Sequence, residues 1–537
     1  MAGVVVGVVA LPLSMALAIG VGAPPQQGLY TAIVGGLVVA ALGGSSVLVT
    51  GPTAAFIVIL APIYAREGLS GLLVAGALAG LLLLLFGLLR LGRLIEFIPY
   101  PVTTGFTAGI GTVIAVLQLK DFLGLRMAHP PDRFLERVAA MVEARSSFSP
   151  WELTIGLVTL AMLVGLPHLV RRIPAPLLAL PAAAVLAVAL ERFIPGVSLD
   201  TLASRFHTTI GGHTFDGVPR LPPLPMLPWQ AAGSFKMSLE SIQELMPAAF
   251  AIAMLGAIES LLAAVVSDGM SQTKHDPDAE LLALGVGNLL CPFFGGIPAT
   301  GAIARTATSV RSGGRTPVAS MVHAVTVLAA VLVLAPLLGY LPMAALAALL
   351  ILVAWNMSDA RHVVHTVRVA PRSDVAVLMT CLVLTVAFDM VIAVSVGVVL
   401  ASLLFMRRMS EVTRARLTTG ARAQLPVPVP KGVLLYDIDG PLFFGAAQRA
   451  MAALQHITDD SRAVVLRLED VPVMDATGLV ALESALGDLH RRGCKTYLVG
   501  LQPQPTRIVE RAGLARRKDV IICPDVTEAL RLAAAIP

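Results

Sequence analysis

A succession of long apolar stretches, separated by short polar loops, is the most regular feature of the chain. No charged residue occurs between positions 2 and 65 or between positions 71 and 89. Runs of about 20 apolar residues are typical of helices that cross a membrane. The pattern predicts fourteen spans, two of them short, near residues 2–22, 28–43, 52–65, 71–89, 97–118, 150–170, 174–191, 244–267, 279–295, 304–313, 316–340, 342–357, 374–390 and 391–406.

The charges of the short loops predict the orientation of these spans. With fourteen spans, the basic loop residues fall on one side of the membrane: Arg90, Arg93, Arg171, Arg172, Lys274, Arg311, Arg315, Arg361, Arg368 and Arg372. Short cytoplasmic loops carry an excess of Lys and Arg, so this side is predicted to be cytoplasmic. Both termini are then cytoplasmic, and we expect a multi-pass protein of the cell membrane, with a bacterial inner membrane as its setting.

The composition narrows the class of protein further. Hydrophobic residues make up 56% of the 537 residues and charged residues 14%, whereas soluble domains carry about 25% charged residues. The net charge is +5 and aromatic residues make up 5%, without a basic stripe interleaved with aromatics, which argues against a nucleic-acid partner. No nucleophile–base pair, phosphate-binding loop or metal-ligand cluster is recognisable, so we expect neither an enzyme nor a cofactor.

The character of the sequence changes over residues 410–430, where arginines are followed by three prolines. Such a segment is typical of a linker. We therefore predict a transmembrane domain over 1–409, a linker over 410–430 and a soluble cytoplasmic domain over 431–537. In the last segment, predicted strands alternate with predicted helices, which favours one small α/β domain. The strands are predicted at Val433–Ile438, Ala463–Leu468 and Thr496–Gly500, and the helices at Gly478–Arg491 and Gln504–Ala512.

Two of the predicted spans are interrupted by glycine and proline. In Gly43–Ala65, a β-prone stretch precedes a helix from Pro52 to Ala65, which would be about 21 Å long against a hydrocarbon core of about 30 Å. The segment Gly295–Gly314 has the same plan. One such segment alone would favour a simple kink. Two of them, each the third span of a group of seven, predict paired half-helices in an inverted-repeat transporter.

The start of a helix explains what such half-helices bind. Its first turn has free backbone N–H groups and about half a positive charge. At the middle of a membrane no water competes for these groups, so two facing helix starts form an anion site without a basic side chain. The extended halves also need hydrogen-bond partners in lipid, and we expect them to pair with each other.

Two charged residues fall inside the predicted spans. Arg305 lies in the first turn of the second half-helix, where the helix dipole disfavours a cation. We interpret it as a source of positive potential for an anion, mainly through its field; the alternative is a structural pair with a carboxylate or with carbonyl groups. Glu259 lies in the middle of the eighth span, and intramembrane carboxylates are usually functional. We interpret it as a proton carrier; the alternative is a structural partner for a cation or a hydroxyl.

Several motifs, in order along the chain, resemble the SulP family of anion transporters, the relatives of solute carrier family 26. They are ALPLSMALAIGVGAPPQQGLYTAIVGG (10–36), GPTAAF (51–56), GFTAGIG (105–111), ESLL (259–262), the ART segment with GGRTP (304–306 and 313–317) and VLRLEDVPVMDATGLVAL (465–482). The resemblance implies a seven-plus-seven inverted repeat with core and gate domains, an elevator-like motion, a homodimer and a C-terminal STAS domain.

The resemblance also implies the position of the anion site, between the half-helix ends and the first and eighth spans. It names Leu13, Leu17, Thr53, Ala54, Phe56, Ala302, Ile303, Ala304 and Arg305 as substrate-binding residues, and Glu259 as the proton-coupling residue. Many relatives carry Gln, an aromatic residue and Ser where this chain has Leu13, Leu17 and Ala304, so we expect a site that relies on backbone N–H groups. Sodium-coupled bicarbonate members carry hydroxyl residues at the positions of Ala263 and Ile303, and their absence here disfavours sodium coupling.

These residues and the resemblance predict secondary active transport of a small inorganic or carboxylate anion, such as sulfate, bicarbonate, chloride or a dicarboxylate. We expect transport coupled to protons or by exchange. The alternatives are a membrane-anchored regulator that acts through its STAS domain and a nucleobase–proton symporter of the same architecture. The expected partners are the anion, the lipid bilayer, a second copy of the chain and a cytoplasmic protein at the STAS domain. In that domain we expect Thr477 to cap a helix rather than to be phosphorylated.

Overall fold

The computed structural model describes residues 1–95, 99–127, 131, 134–170, 174–210, 213–233, 235–388, 390–412, 414–418, 427–452, 454 and 461–536. Internal contacts divide the chain into two compact units, Met1–Val398 and Val399–Pro537. Long apolar helices make up the first unit, and a mixed α/β fold makes up most of the second.

The first unit contains helices and four short strands. The helices are α1 (Ala2–Val21), α2 (Pro25–Leu42), α3 (Ile57–Leu88), α4 (Gly92–Ile95), α5 (Tyr100–Phe122), α6 (Phe134–Glu143), α7 (Pro150–Leu169), α8 (Pro176–Phe193), α9 (Leu202–Arg205), α10 (Leu239–Ser271), α11 (Pro277–Leu290), α12 (Ile303–Arg311), α13 (Pro317–Leu338), α14 (Met343–Ser358), α15 (Ala360–Val369), α16 (Arg372–Ala387) and α17 (Met390–Val412), which crosses the boundary between the units. The strands are β1 (Thr50–Gly51), β2 (His207–Ile210), β3 (His213–Asp216) and β4 (Thr300–Gly301), with β1 paired to β4 and β2 to β3.

Proline sets the start of many of these helices. A proline occupies the first turn of α2, α5, α7, α8, α11 and α13. Its fixed φ suits a helix, and the N–H that it lacks would have no partner inside the helix at this position. The proline therefore ends the preceding loop and begins the next apolar helix at a defined residue.

Ten of the described helices are long and apolar enough to cross a membrane, which confirms the predicted α-helical membrane fold. The spans predicted at 52–65 and 71–89 fall within one helical element, but Gly68 breaks it with φ 70° and ψ −165°. That φ lies in the left-handed region, which glycine adopts without strain. The count of fourteen, which also includes the shorter α11, α12 and α16, stays a prediction.

Helix packing in the first unit follows the pattern of an inverted repeat. Helix α2 packs on α13 as α11 packs on α3, and α1 packs on α13 as α10 packs on α3. If each of the first seven predicted spans is exchanged with its counterpart in the last seven, α2–α13 becomes α11–α3 and α1–α13 becomes α10–α3. A second group has the same relation, since α5 packs on α16 as α14 packs on α7, and α5 and α14 pack on each other.

The second unit contains a five-stranded sheet with helices on both faces. Its strands, in order across the sheet, are β5 (Arg414–Thr418), β6 (Val433–Asp439), β7 (Ala463–Asp470), β8 (Lys495–Val499) and β9 (Val520–Cys523). The first pair is antiparallel and the others are parallel. Helices α18 (Phe444–Ala452), α19 (Ala476–Arg491) and α20 (Pro503–Arg511) bury apolar residues on one face, and α21 (Val526–Ala534) covers the other.

Three details of this unit differ from the sequence analysis. Strand β5 lies within the predicted linker, because backbone pairing to β6 makes it an edge strand without an apolar pattern. Strand β9 and helices α18 and α21 were not predicted; a strand of four residues is too short to show a period. The expected helix cap at Thr477 is wrong: the side chain of Asp475 accepts from the N–H of Gly478 at 2.7 Å, and Thr477 lies inside α19.

Candidate anion site at two half-helices

The two interrupted spans meet at strands β1 and β4. Thr50 pairs with Gly301 and Gly51 with Thr300 in antiparallel register. This pairing confirms the prediction that the extended halves supply hydrogen bonds to each other inside the membrane. Because the strands are antiparallel, the helices that follow them leave in opposite directions. Their amino-terminal ends therefore both point toward the paired segment.

Side chains complete the hydrogen bonding of the extended segment around β1. The N–H of Val49 donates to Thr306 Oγ1 at 3.0 Å, and Ser320 Oγ donates to the carbonyl of Leu48 at 2.7 Å. Thr306 and Ser320 are each 1% exposed, so both bonds lie away from water. These two helices, α12 and α13, thus satisfy backbone groups that lipid cannot.

The segment around β4 is held in an equivalent way by α10 and α11. Asn288 forms a two-way pair with Ala299, in which its Nδ2 donates to the carbonyl and its Oδ1 accepts from the N–H, both at 2.8 Å. Thr300 Oγ1 donates to the carbonyl of Gly256 at 2.8 Å. Asn288 therefore takes the place of a neighbouring strand for this short piece of extended backbone.

Both helix starts lack a side-chain cap. Thr53 precedes the 3₁₀ turn Ala54–Phe56 that leads into α3, and Ala302 precedes α12; neither side chain bonds to the amides that follow. The predicted start of the first half-helix at Pro52 is therefore early by two residues, because Thr53 stays extended at φ −125° and ψ 157°. Uncapped first-turn N–H groups are the usual donors for a bound anion.

The hydroxyl of Thr53 bonds to Glu259 and does not cap its own helix. Thr53 Oγ1 donates to Glu259 Oε2 at 2.7 Å. A threonine in this position would ordinarily accept from the second or third amide of the helix. With its hydroxyl directed to the carboxylate of α10, the amides of the turn remain available. The structure thus brings the carboxylate that was predicted to carry a proton to the start of the first half-helix.

Arg305 is buried behind the helix starts. Its side chain donates to the carbonyl of Pro52, and a Cβ at Gly51 would collide with the guanidinium. Nε and Nη1 have no hydrogen-bond partner among the described residues. Glu259 interacts electrostatically with Arg305. The guanidinium therefore links the two half-helices and adds positive charge close to the site.

The other predicted site residues differ in their exposure. Ile303 is 45% exposed, Ala304 is also exposed, and Leu13 and Ala302 are half-buried. Leu17, Ala54 and Phe56 are buried, and a Cβ at Gly256 would meet the ring of Phe56 at 3.4 Å. The accessible part of the predicted site is therefore the start of α12, whereas Phe56 packs against α10.

A further buried carboxylate of the first unit, Glu280 on α11, was not predicted from the sequence. It is 1% exposed, and it accepts from Ser260 Oγ at 3.2 Å and from the N–H of Ser45 at 3.3 Å. Ser260 follows Glu259 on α10, so this helix contacts Glu280 through the residue next to Glu259. A signal was present, because Glu280 is the one acidic residue of the predicted span 279–295.

This fold and these paired half-helices define a membrane transporter with a C-terminal STAS domain. The profile of the sulfate permease family matches residues 1–381, and the profile of the STAS domain matches residues 424–529. The chain belongs to the sulfate permease family, which contains transporters of anions such as sulfate and bicarbonate.

Individual relatives extend over nearly the whole chain. YvdB of Bacillus subtilis, which is named provisionally as a sulfate transporter, is 39% identical over 514 residues, covering 96% of this chain and 93% of the relative. The bicarbonate transporter BicA of a Picosynechococcus strain is 30% identical over 536 residues, covering 96% and 90%. Among solved structures, SLC26A9 superposes with a TM-score of 0.84 at 18% identity, covering 99% of this chain and 89% of that one. The transmembrane domain of BicA gives a TM-score of 0.61 at 27% identity, covering 75% and 96%.

Proposed function

We propose that the chain is a secondary active transporter of a small oxyanion of the sulfate or bicarbonate class. The observation that carries the proposal is the antiparallel pairing of β1 with β4, followed on each side by a helix start without a side-chain cap. Names of relatives support the substrate class, since they refer to sulfate and bicarbonate.

The proposed anion site uses backbone amides together with one buried cation. Each helix start contributes about half a positive charge, and Arg305 adds a full charge behind them. The anion binds at the N–H groups of Ile303, Ala304 and Arg305 and at those of the turn Ala54–Phe56. Leu13 and Leu17 line the site from α1 with apolar side chains. The backbone amides then orient the bound anion. A site without dedicated side-chain donors accepts oxyanions of different shape.

Glu259 supplies the proposed coupling to protons. As a carboxylate it repels an anion at the neighbouring helix starts, and as a neutral acid it does not. Binding of a proton and binding of the anion therefore favour each other, and the coupling is reciprocal. The hydrogen bond from Thr53 joins the proton-binding group to one of the two helix starts. The protonation state of Glu259 therefore changes the electrostatic potential at the anion site.

Movement of the site across the membrane is proposed to follow an elevator-like mechanism. The core domain would contain α1, α2, α3 and α10–α13, and the gate domain α5, α7, α14 and α16, the two packing groups described above. The proposal also includes fourteen spans, both termini in the cytoplasm of a bacterial cell and a homodimer. The domains are proposed at 1–409 and 431–537, and the STAS domain is a candidate docking surface for a cytoplasmic protein.

Uptake into proteoliposomes tests this proposal. Labelled sulfate, bicarbonate, chloride and a dicarboxylate are offered to the reconstituted full-length protein, with and without an inward proton gradient. We expect uptake of at least one oxyanion that the gradient accelerates, and loss of that acceleration in Glu259→Gln. Glu244→Gln, an exposed carboxylate on the same helix, is the matched control and should behave as wild type. Absence of uptake of every anion would refute transport, and gradient-driven uptake by Glu259→Gln would refute the proton carrier.

A further inference from the structure

Helix α15 has an unusual position among the described helices of the first unit. None of its ten residues is buried. The exposed residues include the apolar Val364, Val367 and Val369, which are 48%, 41% and 70% exposed. Single exposed valines are ordinary at a protein surface, so the distribution of valines and charges around the helix is the informative feature. A helix with an apolar face and a charged face is stable where apolar chains meet headgroups at a membrane surface. We therefore place α15 at that boundary.

Basic residues share the other face of α15. Arg361, His365 and Arg368 are spaced by four and three residues, a spacing that places them on one side of a helix. All three are exposed. Val363 and Val367 lie about half a turn away, on the opposite side. The helix thus presents two arginines and a histidine on one side and Val363 and Val367 on the other, while Val364 and Val369 flank the basic side.

An apolar groove adjoins Val363 and Val364 of α15. It has a volume of about 410 Å³ and is lined by residues of α5, α14, α15 and α16, among them Gly111, Ile351, Trp355, Val363 and Val364. Trp355 is 64% exposed. Small residues of α5 leave the groove open beside an exposed indole, an arrangement that an apolar chain can occupy.

A hydrogen bond joins α15 to α5, one of the helices that line this groove. The hydroxyl of Tyr100, at the start of α5, and Nε2 of His362 are 2.6 Å apart, and the two rings make an edge contact with centroids 5.7 Å apart. The basic face and the apolar groove are therefore held as neighbours by contacts within the protein. Both belong to the membrane-spanning unit, where lipid is the surrounding solvent.

We propose that the groove and the basic face of α15 form a binding site for an anionic phospholipid. One acyl chain lies in the groove against Trp355, and the phosphate lies beside Arg361 and Arg368. Charge complementarity selects an anionic headgroup over a zwitterionic one, because basic residues at a membrane surface attract anionic lipid. The apolar groove selects a lipid over a soluble phosphate ester.

Fluorescence quenching by brominated lipid tests this site in the full-length protein in nanodiscs. The chain has three tryptophans, and bromine on an acyl chain quenches those that it contacts. We expect brominated phosphatidylglycerol to quench more strongly than brominated phosphatidylcholine. Trp355→Phe should remove the excess quenching, whereas Trp151→Phe, on α7, should retain it. Equal quenching by both lipids, or an excess that survives Trp355→Phe, would overturn the proposal.

Charge variants test the headgroup contact. Each basic residue contributes roughly fivefold to the affinity for anionic lipid, so Arg361→Gln together with Arg368→Gln should weaken phosphatidylglycerol binding roughly 25-fold. Arg192→Gln, an exposed arginine at the end of α8, should leave it unchanged. An unchanged affinity in the double variant contradicts the site, as does displacement of the lipid by glycerol phosphate. If neither lipid quenched Trp355, protein would cover the groove, and this result would also overturn the lipid site.

Discussion

Replacing Asn288 by leucine tests whether side chains hold the extended backbone at the centre of the site. Asn288 is 1% exposed and satisfies both the N–H and the carbonyl of Ala299 at 2.8 Å. Leucine has a similar size but leaves both backbone groups without a partner in a region closed to water. Each unsatisfied group costs about 1–3 kcal/mol, and the buried leucine returns about 1.5–2 kcal/mol of hydrophobic stabilisation. For the two groups together we expect a net loss of up to about 4.5 kcal/mol.

The consequence for function should exceed the loss of stability. Ala299 lies directly before β4, so a segment that loses its register also displaces the start of α12. We expect Asn288→Leu to lower the unfolding temperature in detergent and to reduce initial uptake by more than about tenfold. Asn356→Leu, at an exposed position of α14, is the control. If Asn288→Leu matched that control in both unfolding temperature and uptake, the assignment of Asn288 to the extended segment would be refuted.

Two further predictions concern charge. At Arg305, lysine retains a cation beside the helix starts and methionine does not. Arg305→Met should therefore weaken anion affinity by about tenfold (about 1.4 kcal/mol), whereas the affinity of Arg305→Lys should stay within about threefold of wild type. An equal loss of affinity in both variants would assign Arg305 a packing role. In the STAS domain, hydrogen bonds from Arg517 lower the pKa of Asp519 below its ordinary 3.8. The carboxylate therefore stabilises the fold above that pH, and the contribution disappears as the pH falls through the lowered pKa. Asp519→Asn should lower the stability of the domain by about 0.5–1 kcal/mol at pH 7 and leave it unchanged in strong acid. The loss should be measured as faster hydrogen exchange of the amides of β8 and β9. An equal difference between variant and wild type at both pH values would contradict a stabilising ion pair between Arg517 and Asp519.

Local signals in the sequence located the interrupted spans. Glycine and proline marked both breaks, and the need for backbone partners in lipid predicted the pairing of β1 with β4. The start of the first half-helix was misplaced at Pro52, because the prediction rested on the preference of proline for a first turn. This local preference contains no information on the bond between Thr53 and Glu259 on another helix. That contact joins residues 206 positions apart, and nothing in either local sequence specifies it.

The groups that support the site were beyond sequence analysis for a related reason. Asn288, Thr306 and Ser320 are ordinary polar residues of apolar helices, and their roles depend on which backbone atoms the fold brings to them. The direction of the Arg305 side chain is likewise set by the close approach that Gly51 allows. In the second unit, the buried strands β6 and β7 were visible as apolar runs, whereas the edge strand β5 depends on pairing alone.

The measurement that tests the anion site most directly is the affinity of two variants at one residue. Ile303 is the first residue of α12 and is 45% exposed, and Ala302 before it has φ −110° and ψ 109°, a conformation that tolerates a following proline. Ile303→Pro therefore removes one amide donor and keeps the helix start, whereas Ile303→Ala removes the side chain and keeps the amide. A hydrogen bond to a charged group contributes about 1.5–3 kcal/mol, so titration with the transported anion should show binding weaker by about tenfold or more in Ile303→Pro than in Ile303→Ala. Equal affinities in the two variants would contradict an anion site built from backbone amides.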